Sequence, residues 1–121
     1  MLHEKLLGSV KILSVDYDAL INKLKEISFF IKEKNSKVIK IMLFGSFARG
    51  DYTPESDVDI MIIVKNSEKP FLFRADEFLD YFKEVPFDVN IIVYTKDEIE
   101  KMEKDNNIFI KEVLSYAVEL G

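Results

Sequence analysis

Asp57 and Asp59 flank Val58 at the mouth of the apolar run Ile60–Val64. On a strand, residues two apart point to the same side, so both carboxylates would share one face. Two negative charges at the edge of a core repel each other and are costly to take out of water. A hard divalent cation relieves both costs. Mg²⁺ takes oxygen ligands and is typically held by one or two carboxylates together with phosphate oxygens and water. A third acid, Asp88, opens the next apolar stretch, PFDVNIIVY. Neighbouring strands lie about 5 Å apart, so Asp88 would join the pair if its strand adjoined theirs. Two ions bridged by shared aspartates suit phosphoryl or nucleotidyl transfer.

The preceding apolar run, VIKIMLF, ends in Gly45-Ser46. Glycine permits a tight turn and a close ligand approach. A helix starting there offers free N–H groups, a natural phosphate cradle, and the Ser46 hydroxyl adds a further donor. Arg49 follows three residues later in a chain whose only other arginine is Arg74. It could clamp a triphosphate or brace its loop through Asp51 or Glu55. Each feature has a plainer reading. Ser46 could be a simple N-cap, Asp57 a turn residue, Asp59 a solvent-facing strand residue, and Asp88 an edge charge that discourages aggregation. Taken together the plain readings are poor, because the Gly-Ser turn and the paired acids lie at matching ends of successive strands and would face one cleft.

Elements must hold these residues in place. Apolar residues Tyr17, Leu20, Leu24, Ile27 and Ile31 recur at helical spacing and predict a helix from Asp16 to Lys34. Strands are predicted over Val38–Phe44, Asp57–Val64 and Phe87–Tyr94, with a turn and short helix over Gly45–Tyr52. Pro70 would begin a helix burying Leu72, Ala75, Phe78, Leu79 and Phe82. Thr95 and Glu98 fit a capping box, so a helix should begin there and break at KDNN. Asn107–Leu120 reads as a last helix with Ile110, Val113, Leu114, Ala117 and Val118 inward. The order predicts an α/β (α+β) fold, a small mixed β-sheet packed against helices.

Composition narrows the function. The chain has 121 residues and a net charge of −5, which suits one domain and argues against a long nucleic-acid partner. It has no cysteine, so disulfides and thiolate metal sites are excluded. Neither a membrane span nor a signal-peptide pattern stands out, and a cytoplasmic location is the expectation.

GSFARGDYTPESDVD resembles the signature of the nucleotidyltransferase superfamily that includes DNA polymerase β: Gly-Ser, ten residues, then Asp-x-Asp. At about 5–7% usage per residue type, four such positions match by chance in about one chain in a thousand. The resemblance spans Val38 to Tyr94, and the GSFARG form is similar to the minimal nucleotidyltransferase (MNT) group. It implies a single minimal nucleotidyltransferase domain over residues 1–121. It further implies that Gly45 and Ser46 hold the triphosphate of ATP and that Asp57 and Asp59 bind Mg²⁺, as two ions. Asp88 matches the third acid, which helps bind metal and activates the acceptor hydroxyl. Members of the group pair with HEPN-domain toxins, and in the antitoxin branch the AMP of ATP passes to a tyrosine of that partner.

The chain offers little beyond such a core, so the acceptor is expected on another chain, in a hetero-oligomer. Phe29 and Phe73 fall off the assigned apolar stripes. They are either interface aromatics or core residues assigned to the wrong face. Two further functions stay open: transfer to a small molecule or an RNA end, and neutralisation of a toxin by binding without catalysis.

Overall fold

The computed structural model describes residues 1–121 and opens with a hairpin that the sequence reading lacks. Strands β1 (Leu2–Leu7) and β2 (Val10–Val15) pair antiparallel around Gly8, whose φ of +62° suits the turn. Apolar side chains lie on both faces, and nearly all of the ribbon is exposed. The strict alternation that marks a half-buried strand is therefore missing.

Helix α1 (Tyr17–Lys34) begins where expected, because the Asp16 carboxylate accepts from the N–H of Ala19 at 3.1 Å. Leu20, Leu24, Ile27 and Ile31 are its buried stripe. Strand β3 (Val38–Phe44) follows, then the one-turn helix α2 (Ser46–Arg49) and strand β4 (Val58–Val64). Strand β5 (Val89–Thr95) leads into helix α4 (Lys96–Lys104), where the Thr95–Glu98 capping box forms as the sequence predicts. Asn106 takes a positive φ of 57° between α4 and helix α5 (Ile108–Tyr116), which Asn107 caps.

The main sheet has four strands in the order β5-β4-β3-β6, where β6 is Val118–Glu119. It is mixed: β4 and β5 run parallel, whereas β3 is antiparallel to both β4 and β6. Alternation along β3 and β4 splits the core into two. Ile41, Leu43, Ile60 and Ile62 face α1 and the segment around Phe78 and Phe82. Met42, Phe44, Met61 and Ile63 face α4 and α5. Full burial of side chains of this size stabilises by about 1.5–3 kcal/mol each.

Two helices differ from expectation. The segment after Pro70 is not one regular helix: it comprises a 3₁₀ turn (Phe71–Phe73), helix α3 (Asp76–Leu79) and a second 3₁₀ turn (Asp80–Phe82). Phe78 and Phe82 are buried, but Leu72 is 82% exposed and Leu79 is also at the surface. Arg74 fixes this segment to the sheet by donating to the carbonyls of Lys69 and Val93, and Phe71 packs on Tyr94. The last helix stops at Tyr116 rather than reaching Leu120, and Leu114 is partly exposed. Val118–Glu119 pair with β3 instead, and the N–H of Leu120 donates to Ile41 O at 2.8 Å. No helix is long and apolar enough to cross a membrane.

Candidate active site

Strand β3 ends at Phe44, opposite Asp59 on β4. Gly45 follows with φ 73° and ψ −158°, a backbone state open essentially to glycine alone. A Cβ on Gly45 would overlap Oδ2 of Asp59 and stand 3.0 Å from its Cγ. The turn and the aspartate therefore touch only because residue 45 lacks a side chain. The carbonyl of Gly45 accepts from the N–H groups of Ala48 and Arg49 at 3.1 and 3.0 Å, closing α2. Gly45, not Ser46, occupies the cap position, and no side chain caps the turn. Phe47 is fully buried between Tyr52 and Phe87 and pins α2 to the core.

Asp57 and Asp59 share the face of β4 that looks toward α5, as their spacing predicts. Parallel pairing sets Asp59 beside Asn90 of β5. The Asn90 amide donates to Oδ2 of Asp57 at 3.2 Å and to Oδ1 of Asp59 at 3.1 Å. One NH₂ group has two hydrogens, and here each carboxylate receives one.

The expected third acid is not gathered in. Asp88 stands apart from Asp57 and Asp59, and no three acidic, histidine or cysteine side chains are gathered around one point. Asp88 lies two residues before Asn90, just ahead of β5, and its carbonyl accepts from the N–H of Val58 at 2.8 Å. It lines a separate depression with Pro54, Ser56 and Phe87 that touches the pair only through Asp57. The physical reason is register: Asn90, not Asp88, stands level with Asp59.

Gly45, Ser46, Arg49, Asp57 and Asp59 line one open cleft of about 400 Å³, walled on its far side by Phe109, Glu112 and Tyr116 of α5. Neither Tyr116, on the cleft wall, nor Asn90, which binds both aspartates, stands out as a site residue in the sequence. The Tyr116 hydroxyl accepts from the N–H of Gly45 at 3.2 Å and from Arg49 Nη1 at 3.4 Å. The guanidinium also lies over the Tyr116 ring, 5.6 Å from its centroid. Arg49 Nε donates to Asp51 at 3.3 Å, so Asp51 rather than Glu55 is its acidic partner. Hydrogen bonds to Tyr116 and then to Asp51 raise the guanidinium pKa above its ordinary value. Arg49 thus faces the cleft as a permanent cation, anchored by a ring and a carboxylate.

The donor set suits a hard divalent ion. It comprises two carboxylates converging on one point, with no sulfur or imidazole among the cleft-lining residues. Paired carboxylates, a glycine turn and an anchored arginine thus surround one cleft.

The nucleotidyltransferase domain pattern matches residues 24–116. A "Putative protein adenylyltransferase" of Methanocaldococcus jannaschii is 38% identical over 96 residues, covering 79% of this chain and 89% of the relative. Another of the same name and organism is 34% identical over 92 residues, covering 76% of this chain and 98% of the relative. The crystal structure of a "putative nucleotidyltransferase" from Sulfolobus solfataricus aligns with a TM-score of 0.58 at 26% identity, covering 70% of this chain and 75% of that one. A crystal structure described as "the toxin-antitoxin with AMP-PNP" shares the fold, with a TM-score of 0.58 at 18% identity over 84% of this chain and 72% of that one. The chain therefore belongs to the nucleotidyltransferase domain family.

Proposed function

We propose that this protein is a Mg²⁺-dependent adenylyltransferase that moves AMP from ATP to a tyrosine of a partner HEPN toxin, acting as its antitoxin in a type VII-like pair. The observation that carries the reading is the contact between Gly45 and Asp59. It joins the turn that would hold phosphate to the carboxylates that would hold metal. Adenylyltransferase relatives support the chemistry, and the toxin–antitoxin neighbour with AMP-PNP supports the partner and the adenine nucleotide. Use of ATP fits a cytoplasmic setting.

In this reading the Gly45-Ser46 turn holds the triphosphate through the N–H and hydroxyl of Ser46, with the Gly45 N–H already given to Tyr116. Arg49 adds a fixed positive charge beside it. Asp57 and Asp59 are the metal-holding residues. A bound Mg²⁺ would neutralise phosphate charge and polarise the α-phosphoryl group. The acceptor's phenolic oxygen bonds to the α-phosphorus as the bond from that phosphorus to the bridging oxygen breaks. Pyrophosphate leaves with the electron pair, and the phenolic proton passes to solvent through the open cleft. Holding both reactants in one cleft supplies much of the rate by removing their freedom to misalign.

The test is transfer of label from α-phosphate-labelled ATP to a HEPN protein encoded beside this chain, with Mg²⁺ present. Label on a tyrosine of that protein is expected, and Asp57→Asn/Asp59→Asn should abolish it. Label that survives the double substitution, or no label from any of the four nucleoside triphosphates, overturns the proposal.

A further inference from the structure

We infer that Asn90 is a positioning residue that sets the spacing and charge of the aspartate pair, making this a two-carboxylate site clamped by a neutral amide. The inference rests on the reading of Asp57 and Asp59 as the metal-holding pair and adds a residue to it.

Three observations lead here. Asn90 touches both carboxylates, through one nitrogen and at nearly equal distances. Its strand position is fixed by a continuous parallel ladder from Val58↔Val89 to Val64↔Thr95, so the amide cannot drift without breaking strand pairing. The other acid on β5's approach, Asp88, lines a different depression. Position 90 is thus the place on β5 from which a side chain reaches both aspartates.

The residue type at that place matters. An amide NH₂ is a donor toward carboxylates and carries no charge. It draws two mutually repelling groups toward one point and lowers the cost of holding them there before any ion binds. An aspartate of nearly identical shape would turn both attractive contacts into repulsive ones, a repulsion that a bound divalent cation relieves. Alanine would leave the pair without its common donor, free to splay.

The experiment uses the full chain alone and reads ion affinity and melting temperature, so neither ATP nor partner enters. Mn²⁺ is titrated by calorimetry or water-proton relaxation into the unsubstituted protein, Asn90→Ala, Asn90→Asp and Asp57→Asn/Asp59→Asn. Asn90→Ala should bind Mn²⁺ about tenfold more weakly, as losing a residue that orients metal ligands typically does. Asn90→Asp should melt lower than the unsubstituted protein without ion and bind Mn²⁺ more tightly. Its melting temperature should rise more on saturation with Mn²⁺. A purely structural asparagine would lower melting temperature in both variants and leave Mn²⁺ affinity unchanged, which overturns the inference. Failure of the unsubstituted protein to bind Mn²⁺ overturns the metal-holding reading of Asp57 and Asp59 as well. Binding that is lost in the double variant but indifferent to position 90 overturns only the role of Asn90.

Discussion

The hydroxyl of Tyr116 accepts a hydrogen bond from the backbone N–H of Gly45 at 3.2 Å, joining residues 71 positions apart in sequence. It also meets Arg49, so one side chain from α5 braces both the glycine turn and the cation proposed to face the triphosphate. Removing it should loosen the nucleotide site without touching the aspartates. Tyr116→Phe should cost about 1–2 kcal/mol of stability, because a buried backbone donor loses its partner. A similar loss of about 1 kcal/mol in ATP binding is about fivefold in KM, with a smaller change in kcat. Steady-state kinetics at varied ATP, beside a denaturant titration, would check both. An unchanged KM would show that the turn holds its shape unaided.

Gly45→Ala tests the contact between turn and aspartate. Alanine at φ 73° and ψ −158° is strained, and its Cβ would overlap Oδ2 of Asp59. The strain alone is about 1–3 kcal/mol. Displacement of Asp59 by an ångström should lower kcat/KM by about 100-fold. Single-turnover transfer rates, with circular dichroism to confirm folding, decide the matter. Near-normal rates in a folded variant would separate the turn from the chemistry.

The sequence made visible whatever depends on local pattern. Helix α1, strands β3 and β4 and the Thr95 cap all follow from apolar spacing and short-range hydrogen bonding, and the structure has them. The Gly-Ser turn and the paired aspartates were legible for the same reason, since glycine and acids at an apolar boundary advertise their cost. What escaped depends on register or on tertiary competition. Charge makes Asp88 visible in the sequence and leaves Asn90 unmarked, because an amide in VNIIVY carries no charge and parallel register is not written locally. Its one signal was a lone carboxamide inside an apolar strand. The helical pattern runs four residues past the true end of α5 at Tyr116, because Val118 and Leu120 satisfy a helical stripe as well as a strand beside β3. The hairpin escaped because apolar residues on both faces erase alternation, although Gly8-Ser9 between two six-residue strands was a usable turn signal.

Glu98 gives the fold a pH-dependent joint. Burial disfavours its charged form, but the Arg74 guanidinium and the Thr95 N–H and hydroxyl together outweigh burial and hold its pKa below the ordinary 4.5. A carboxyl depressed in the folded state contributes stability that is fully present above 4.5 and lost as pH falls through the folded-state value. Gln at this position keeps a capping side chain but drops the charge facing Arg74. Glu98→Gln should therefore melt lower than the unsubstituted protein at pH 7, with the gap closing as pH drops below 4.5. Melting curves from pH 7 to pH 3 would show it. Parallel curves at all pH values would mean that the ion pair contributes nothing to stability.

Phe29 and Phe73 lie off the apolar stripes of the sequence, and the structure leaves them 67% and 58% exposed. Neither is a misassigned core residue. Aromatic side chains are enriched where proteins meet, and their truncation is where binding energy concentrates. Side chains that bury little in the free chain should be replaceable at small cost, within about 0.5 kcal/mol. Phe29→Ser and Phe73→Ser should thus leave the melting temperature nearly unchanged. If either residue meets the proposed HEPN partner, its substitution should weaken the complex by tenfold or more, an effect of about 1.4 kcal/mol. Titration of the partner into each variant, followed by calorimetry, separates the two surfaces, because Phe29 lies on α1 and Phe73 in the 3₁₀ turn after Pro70. Loss at one position alone would fix which face the partner covers. Full affinity in both variants would place the contact elsewhere and leave the two aromatics as exposed surface without a binding role.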